Sequence, residues 1–259
     1  MSPIIHTIFI LIHGTWGADS SWYKPDGDFF EALNAKCTVQ HAMVIPFRWS
    51  GYNNDVARKQ AAQDLAALVK RYDAATRICM VGHSHGGNVA ILASHICAQN
   101  SDRHRSIDAL YLLGTPAGSS YKPNMDVINY VYNLISFEDM VQPVIGFFGR
   151  EQPHHERIAN MRITIHNKEP NHTDLHHPIV GSWLVYLDTI LHTHTKEDSF
   201  IHFTYQKPGT IHFYSNQAPI YEIDTKWEQR IARDTYINTV MLNSISRNKK
   251  ISAIRPSII

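Results

Sequence analysis

The chain has 259 residues and a formal net charge of +1, with 44% hydrophobic and 18% charged residues. That size and composition suit a globular α/β protein and exclude a disordered chain. The near-neutral charge supplies no basic field for nucleic acid, so no nucleic-acid partner is expected, and no acidic field for cationic partners.

The start, MSPIIHTIFILIHGTWG, has an apolar run but neither a basic n-region nor a small-residue cleavage site. No signal peptide is expected, and the reading is cytoplasmic, with signal-independent export left open. No stretch reaches the length of a membrane helix. Within that start, Ile8–Ile12 is a continuous apolar run of the kind buried on both faces of a sheet. Asp28, with Glu31 three residues on, reads as an N-cap opening a helix through Leu33. Val39–Phe47 is a second strand. Asn54 or Asp55 caps a helix to about Tyr72, with Val56, Ala61, Leu65, Leu68 and Val69 on one side.

Ile78–Val81 is a third strand, followed by a helix over Gly86–Ala98, and Ala109–Leu113 is a fourth. Asn133–Ser136 and Arg162–Ile165 are the fifth and sixth, and Pro178, suited to a first helical turn, opens a helix to Leu191. Strands spaced by helices imply crossovers and a mostly parallel central sheet with helices on both faces. Cys79 falls in a strand and Cys97 on the apolar side of a helix, so both are expected as core residues. With Cys37 they make an odd, scattered set and no disulfide framework.

From about residue 196 the texture changes. FIHFTY and TIHFY alternate around the turn QKPG, which reads as a β-hairpin. A helical stripe over Lys226–Ser246 and a loose tail, NKKISAIRPSII, follow. The expected organisation is a catalytic domain over residues 1–195, with residues 196–259 a hairpin-plus-helix appendage packed on it.

Chemistry concentrates at Gly-His-Ser-His-Gly, residues 82–86, between a strand and a helix. A serine on so tight a turn needs glycines two before and two after it, here Gly82 and Gly86. Its hydroxyl then stands at the C-terminal edge of the sheet, beside the free N–H groups of a helix start. Ser84 is therefore the candidate nucleophile. Serine needs a base, and in the chain order Ser, acid, His both partners come later.

Asp139 lies just past the fifth strand and is preferred as the acid over Glu138, which would face away. The base lies among His166, His172, His176 and His177 in the loop HNKEPNHTDLHHP. His172 is preferred, with Leu175 to pack beneath it and His176 as runner-up. One oxyanion donor is expected from the N–H of His85. The other is expected from the loop HGTWG, with Thr15 first and Trp16 second.

In order along the chain, LIHGTWG, MVGHSHGGN, LLGTPAG, LISFEDMVQP and NHTDLHHP resemble the motifs of α/β-hydrolases, most closely lipase-type serine esterases. The resemblance covers roughly residues 6–192. It implies an α/β-hydrolase fold, a Ser–His–Asp triad, an acyl-enzyme intermediate and no cofactor. The usual leading antiparallel strands are not expected here. Nor is a large cap domain, because no long insertion follows GTPAG.

Seventeen histidines raise the question of metal, and His172 and His176 are spaced i, i+4. Pro178 places the helix after that pair and no cysteine pattern joins it, so no metal site is expected. His83 and His85 are expected to shape the pocket or to pack, with His83 taken as substrate-binding, and are too local to serve as the base. Trp16, with Trp22, Tyr23, Phe29 and Phe30, is expected partly as core and partly as substrate-binding wall. PVIGFF at 143–148 is expected as core, pocket wall or membrane-touching flap.

The reading is a hydrolase of carboxylic esters with a small-molecule or lipid ester substrate. Its rivals are a lipase or phospholipase touching a membrane surface, a thioesterase or amidase, and a hydrolase scaffold used only for binding. The sequence leaves the oligomeric state open.

Overall fold

The structure is a computed structural model. It describes residues 6–37, 41–99, 106–139, 141, 149–165, 168–193, 200–207, 210–215 and 218–224. His166, the stretch 143–148, the helix expected over 226–246 and the tail lie outside the described residues.

Strands β1 (Thr7–Ile12), β2 (Ala42–Phe47), β3 (Arg77–His83), β4 (Ile107–Leu113), β5 (Ile128–Ile135) and β6 (Ile158–Ile165) are joined through helices α1 (Asp28–Cys37), α2 (Asp55–Val69) and α3 (His85–Ala98) and through loops. A short 3₁₀ turn, Thr173–His176, precedes α4 (Pro178–Thr193). Then come β7 (Phe200–Lys207), β8 (Thr210–Ser215) and β9 (Ala218–Asp224).

All nine strands form one sheet in the order β2-β1-β3-β4-β5-β6-β7-β8-β9. Pairing is parallel from β2 through β7 and antiparallel for β8 and β9. The expected hairpin is present as β7 and β8, and it continues the same sheet beyond β6. Pro46 can sit in β2 because that strand is an edge with one partner among the described residues.

Alternation along the strands divides the core. Phe9, Leu11, Val81, Tyr111, Leu134 and Ile163 face α1 and α4. Ile8, Ile10, Ile12, Met80, Leu110 and Leu112 face α2 and α3. Two covered faces explain why the strands read as continuous apolar runs rather than alternating ones. Parallel strands with helices on both faces and a tight strand–serine–helix turn make this an α/β-hydrolase fold. No helix among the described residues is long and apolar enough to cross a membrane.

Two local expectations shift. The first bond of α1 runs from Glu31 N–H to the Gly27 carbonyl at 2.9 Å, so Asp28 is already helical and is not the cap. The Glu31 carboxylate reaches back to the Asp26 N–H at 3.4 Å instead. In α2, Asn54 is the cap, accepting the Ala57 N–H at 2.8 Å, but Val56 in the first turn is 78% exposed, off the buried side.

Candidate active site

The order of strands reverses between β1 and β3: β1 pairs β2 on one side and β3 on the other. In open parallel sheets that point opens a crevice at the C-terminal edge, and ligand sites form there. Two segments meet in it, the loop leaving β1 and the turn leaving β3.

Ser84 follows β3 and caps α3 with φ 52° and ψ −133°, a left-handed conformation that costs a non-glycine residue about 1–3 kcal/mol. Surrounding contacts hold it there. Its N–H bonds the Leu113 carbonyl of β4 at 2.9 Å, and its carbonyl accepts the Gly87 N–H at 3.0 Å. The helix that follows is pressed onto the strands. A Cβ at Gly86 would lie 2.3 Å from the Ile12 carbonyl oxygen, and one at Gly82 would lie 2.4 Å from Gly87 Cα. The glycines flanking the serine are thus required by close approach.

The β1 loop runs directly over the serine. A Cβ at Gly14 would stand 2.7 Å from Ser84 Cβ and 3.4 Å from Ser84 Oγ. Thr15 is next, and its Oγ1 is buried with no hydrogen-bond partner among the described residues. The second-ranked donor is corrected by the structure: the Trp16 N–H is spent on the Gly51 carbonyl at 2.9 Å. The Trp16 side chain, expected against substrate, is 75% exposed on the rim.

This loop is fastened by a pair that sequence reasoning missed. His13 is fully buried and stacks on Trp49 at 5.5 Å. The Trp49 indole N–H donates to the His13 carbonyl at 2.7 Å. His13 Nδ1 lies 2.8 Å from the Gly14 carbonyl, and its Nε2 lies 3.1 Å from the Trp49 N–H nitrogen and 3.2 Å from the Trp49 carbonyl. Burial, the largest influence, lowers the His13 pKa and favours the neutral ring, in which Nδ1–H donates to Gly14 and Nε2 accepts the Trp49 N–H. The only sequence signal was an aromatic residue just after an edge strand.

On the far side of the crevice, His172 Nδ1–H donates to Asp139 Oδ2 at 2.7 Å. In the neutral ring this bond holds the proton on Nδ1, which turns the Nε2 lone pair into the acceptor. Asp139 is fully buried, and its Oδ1 accepts the Val141 N–H at 3.0 Å. Glu138 is exposed, as expected. Beside the Asp139–His172 bond runs Gly114, at φ 58°, where a Cβ would stand 2.9 Å from Asp139 Oδ2 and 3.3 Å from His172 Nδ1. Leu175 packs beneath the loop, fully buried.

The acid loop has its own brace. Arg150 Nη2 donates to the carbonyls of Phe137 at 3.2 Å and Asp139 at 3.0 Å. Glu169 accepts the Phe137 N–H at 2.6 Å and pairs with Arg162. Both guanidinium groups lie over the Phe137 ring, at 5.5 and 4.4 Å.

The histidines nearest Ser84 and His172 are packed. His176 stacks on Trp22 at 4.9 Å, and burial pushes it down to about 4. His85 accepts the Asn88 side-chain N–H at 3.0 Å. Burial first and the Arg58 charge second push it down to about 4. Of the two roles expected for His83, the structure shows packing: its ring is buried against Trp22, His172 and His176. Of the aromatic cluster, Trp22, Tyr23, Phe29 and Phe30 are core. Among the described residues, no group of three His, Cys, Asp or Glu is placed to hold a metal ion.

A family model described as Lipase (class 3) matches residues 14–147. Among solved structures, the chain is similar to a protein from Xanthomonas campestris pv. campestris described as a hydrolase of the alpha/beta superfamily, at 15% identity over 68% of this chain and 94% of that one, with a TM-score of 0.44. It is similar to an acetyl xylan esterase at 12% identity over 71% and 98% of the two chains, with a TM-score of 0.40. It is also similar to a cutinase-like protein from Cryptococcus sp. at 13% identity and a TM-score of 0.34, over 44% of this chain and 56% of that chain's length. No curated protein matches the sequence.

Proposed function

This chain belongs to the class 3 lipase family, a family of ester hydrolases, and on that premise we propose that it cleaves carboxylic esters through an acyl-enzyme on Ser84. The observation that carries this reading is the 2.7 Å bond from His172 to the buried Asp139, on a loop whose His172 carbonyl lies 2.9 Å from His83, the neighbour of a serine held at φ 52°. Ser84 Oγ attacks the ester carbonyl while His172 Nε2 takes its proton. His172 then gives that proton to the leaving alkoxide. Water, activated by the same Nε2, attacks the acyl-enzyme and releases the acid. Asp139 orients the imidazole and stabilises its cation throughout.

The N–H groups of Thr15 and His85 bind the developing oxyanion. Losing one such donor costs about 2.7–4 kcal/mol of barrier, or roughly 10²–10³ in kcat. No cofactor enters any step. Hydrolysis of p-nitrophenyl esters of increasing chain length, by wild type, Ser84→Ala and His172→Ala, tests the reading. Turnover in wild type with a large loss in both variants is expected. Turnover that survives in Ser84→Ala sinks it.

A lipid-surface version is favoured by one further observation. Trp16, Tyr52, Val56, Phe137 and Val141 are the large apolar side chains exposed among the described residues, at 36–78%. All follow the C-terminal ends of β1, β2 and β5, around the crevice. Exposed apolar groups gathered on one rim suit an apolar surface. Activity that rises sharply once the ester passes its solubility limit is expected of this version, and a smooth saturation curve across that limit contradicts it.

A further inference from the structure

We propose that His83 is a positioning residue that ties the loop carrying His172 to the strand carrying Ser84. The proposal rests on the reading of Ser84 as nucleophile and His172 as base. His83 is the last residue of β3, directly before the serine. Its Nε2–H donates to the His172 main-chain carbonyl at 2.9 Å, across 89 residues of sequence. The base is therefore held at two independent points. Asp139 fixes the ring through Nδ1, and His83 fixes the backbone from which the ring projects. The Asp139 bond alone allows the loop to slide while the ring pivots about Nδ1, and such a pivot moves Nε2 most.

The His83 ring is itself caged. It lies 4.6 Å from the His172 ring, 4.8 Å edge-on from His176 and 5.8 Å edge-on from Trp22. Trp22 and His176 stack on each other at 4.9 Å, which closes the cage. Donation to a carbonyl requires the proton on Nε2. Burial, with His172, His176 and His13 nearby, lowers the His83 pKa and keeps the ring neutral. Neutrality serves the reaction: when His172 becomes a cation, the ring beside it carries no opposing charge.

Two substitutions separate the tether from mere filling of space. His83→Phe keeps a ring but has no N–H donor. His83→Gln loses the ring but keeps a donor. Both are measured for kcat, KM, thermal midpoint and rate of fluorophosphonate labelling beside wild type and Ser84→Ala. A misplacement on the order of 1 Å costs about 10²-fold in rate, so kcat and labelling rate in His83→Phe fall by roughly that factor, with KM within about threefold. His83→Gln recovers at least about tenfold of the loss, even if its thermal midpoint is the lower of the two.

Wild-type kcat in a folded His83→Phe overturns the proposal, and so does a glutamine variant no faster than the phenylalanine one. Should His83→Phe not fold, His83→Met, also without a donor, takes its place under the same criteria. Failure of the underlying reading looks different: wild type itself neither labels nor turns over, or labels equally in Ser84→Ala.

Discussion

Gly114→Ala puts the geometry beside the acid to a quantitative test. Gly114 leaves β4 at φ 58°, with its N–H on the Leu134 carbonyl at 3.0 Å. Forcing an alanine into the left-handed region costs about 1–2 kcal/mol. Its Cβ would also stand 2.5 Å from Leu175 Cδ1, and Leu175 is fully enclosed, so overpacking adds about 1–3 kcal/mol. A total near 2–5 kcal/mol, at roughly 2–4 °C per kcal/mol for a chain of this size, lowers the thermal midpoint by about 4–20 °C.

The same carbon would lie 2.9 Å from Asp139 Oδ2. Carbon–oxygen contacts settle at about 3.3–3.6 Å, so the carboxylate retreats by roughly half an ångström and carries His172 with it. On the scale of about 10²-fold per ångström, kcat falls by about tenfold. Calorimetry and initial rates on a soluble ester measure both. A lowered thermal midpoint with wild-type kcat would refute the link between the Asp139–His172 position and rate. An unchanged midpoint would refute the strain itself.

Arg150→Met removes both carbonyl contacts that hold the acid loop. Bonds to a charged donor contribute about 1.5–3 kcal/mol, so kcat is expected to drop about tenfold with KM little changed; steady-state kinetics showing equal kcat would discard the brace. Trp49→Phe leaves the His13 carbonyl without its 2.7 Å indole donor. Stability should fall by about 1–3 kcal/mol in urea denaturation, with slower acylation, whereas a neutral effect on both would mean the clamp is dispensable. Acid should also unfold the protein through its packed imidazoles. Burial pushes His85 and His176 from the ordinary 6.5 down to about 4. The unfolded chain therefore takes up these protons first, and the stability they contribute is whole above pH 6.5 and lost as pH falls toward 4. Urea midpoints should decline across that window and decline less in His176→Phe, and parallel curves would remove His176 from the account.

Local signals carried much of this molecule. The elbow was legible because close approach of α3 to β1 and β3 admits only glycine at 82 and 86. That Asp139 and His172 would meet, as they do at 2.7 Å, was legible because each follows a strand end at the same sheet edge. The fastenings between these parts were not. His13 with Trp49, separated by 36 residues, and Glu169 with Phe137, separated by 32, are side chain–backbone contacts that leave no periodic trace. Trp16 was ranked as a donor from its neighbourhood alone, and only the fold shows the Gly51 carbonyl occupying its N–H. Val56 was misread because helical spacing marks a stripe without saying where the stripe begins. Likewise, alternation showed that the hairpin exists but not that β7 lies parallel beside β6.

The central claim is covalent catalysis at one serine, and mapping the covalent adduct tests it most directly. Wild type treated with a fluorophosphonate is digested, and the modified peptide is located by mass spectrometry. One adduct per chain on Ser84, formed far more slowly in His172→Ala and Asp139→Asn, is the predicted result. A folded, ester-cleaving protein whose adduct lies on another residue, or that forms none, would contradict the account.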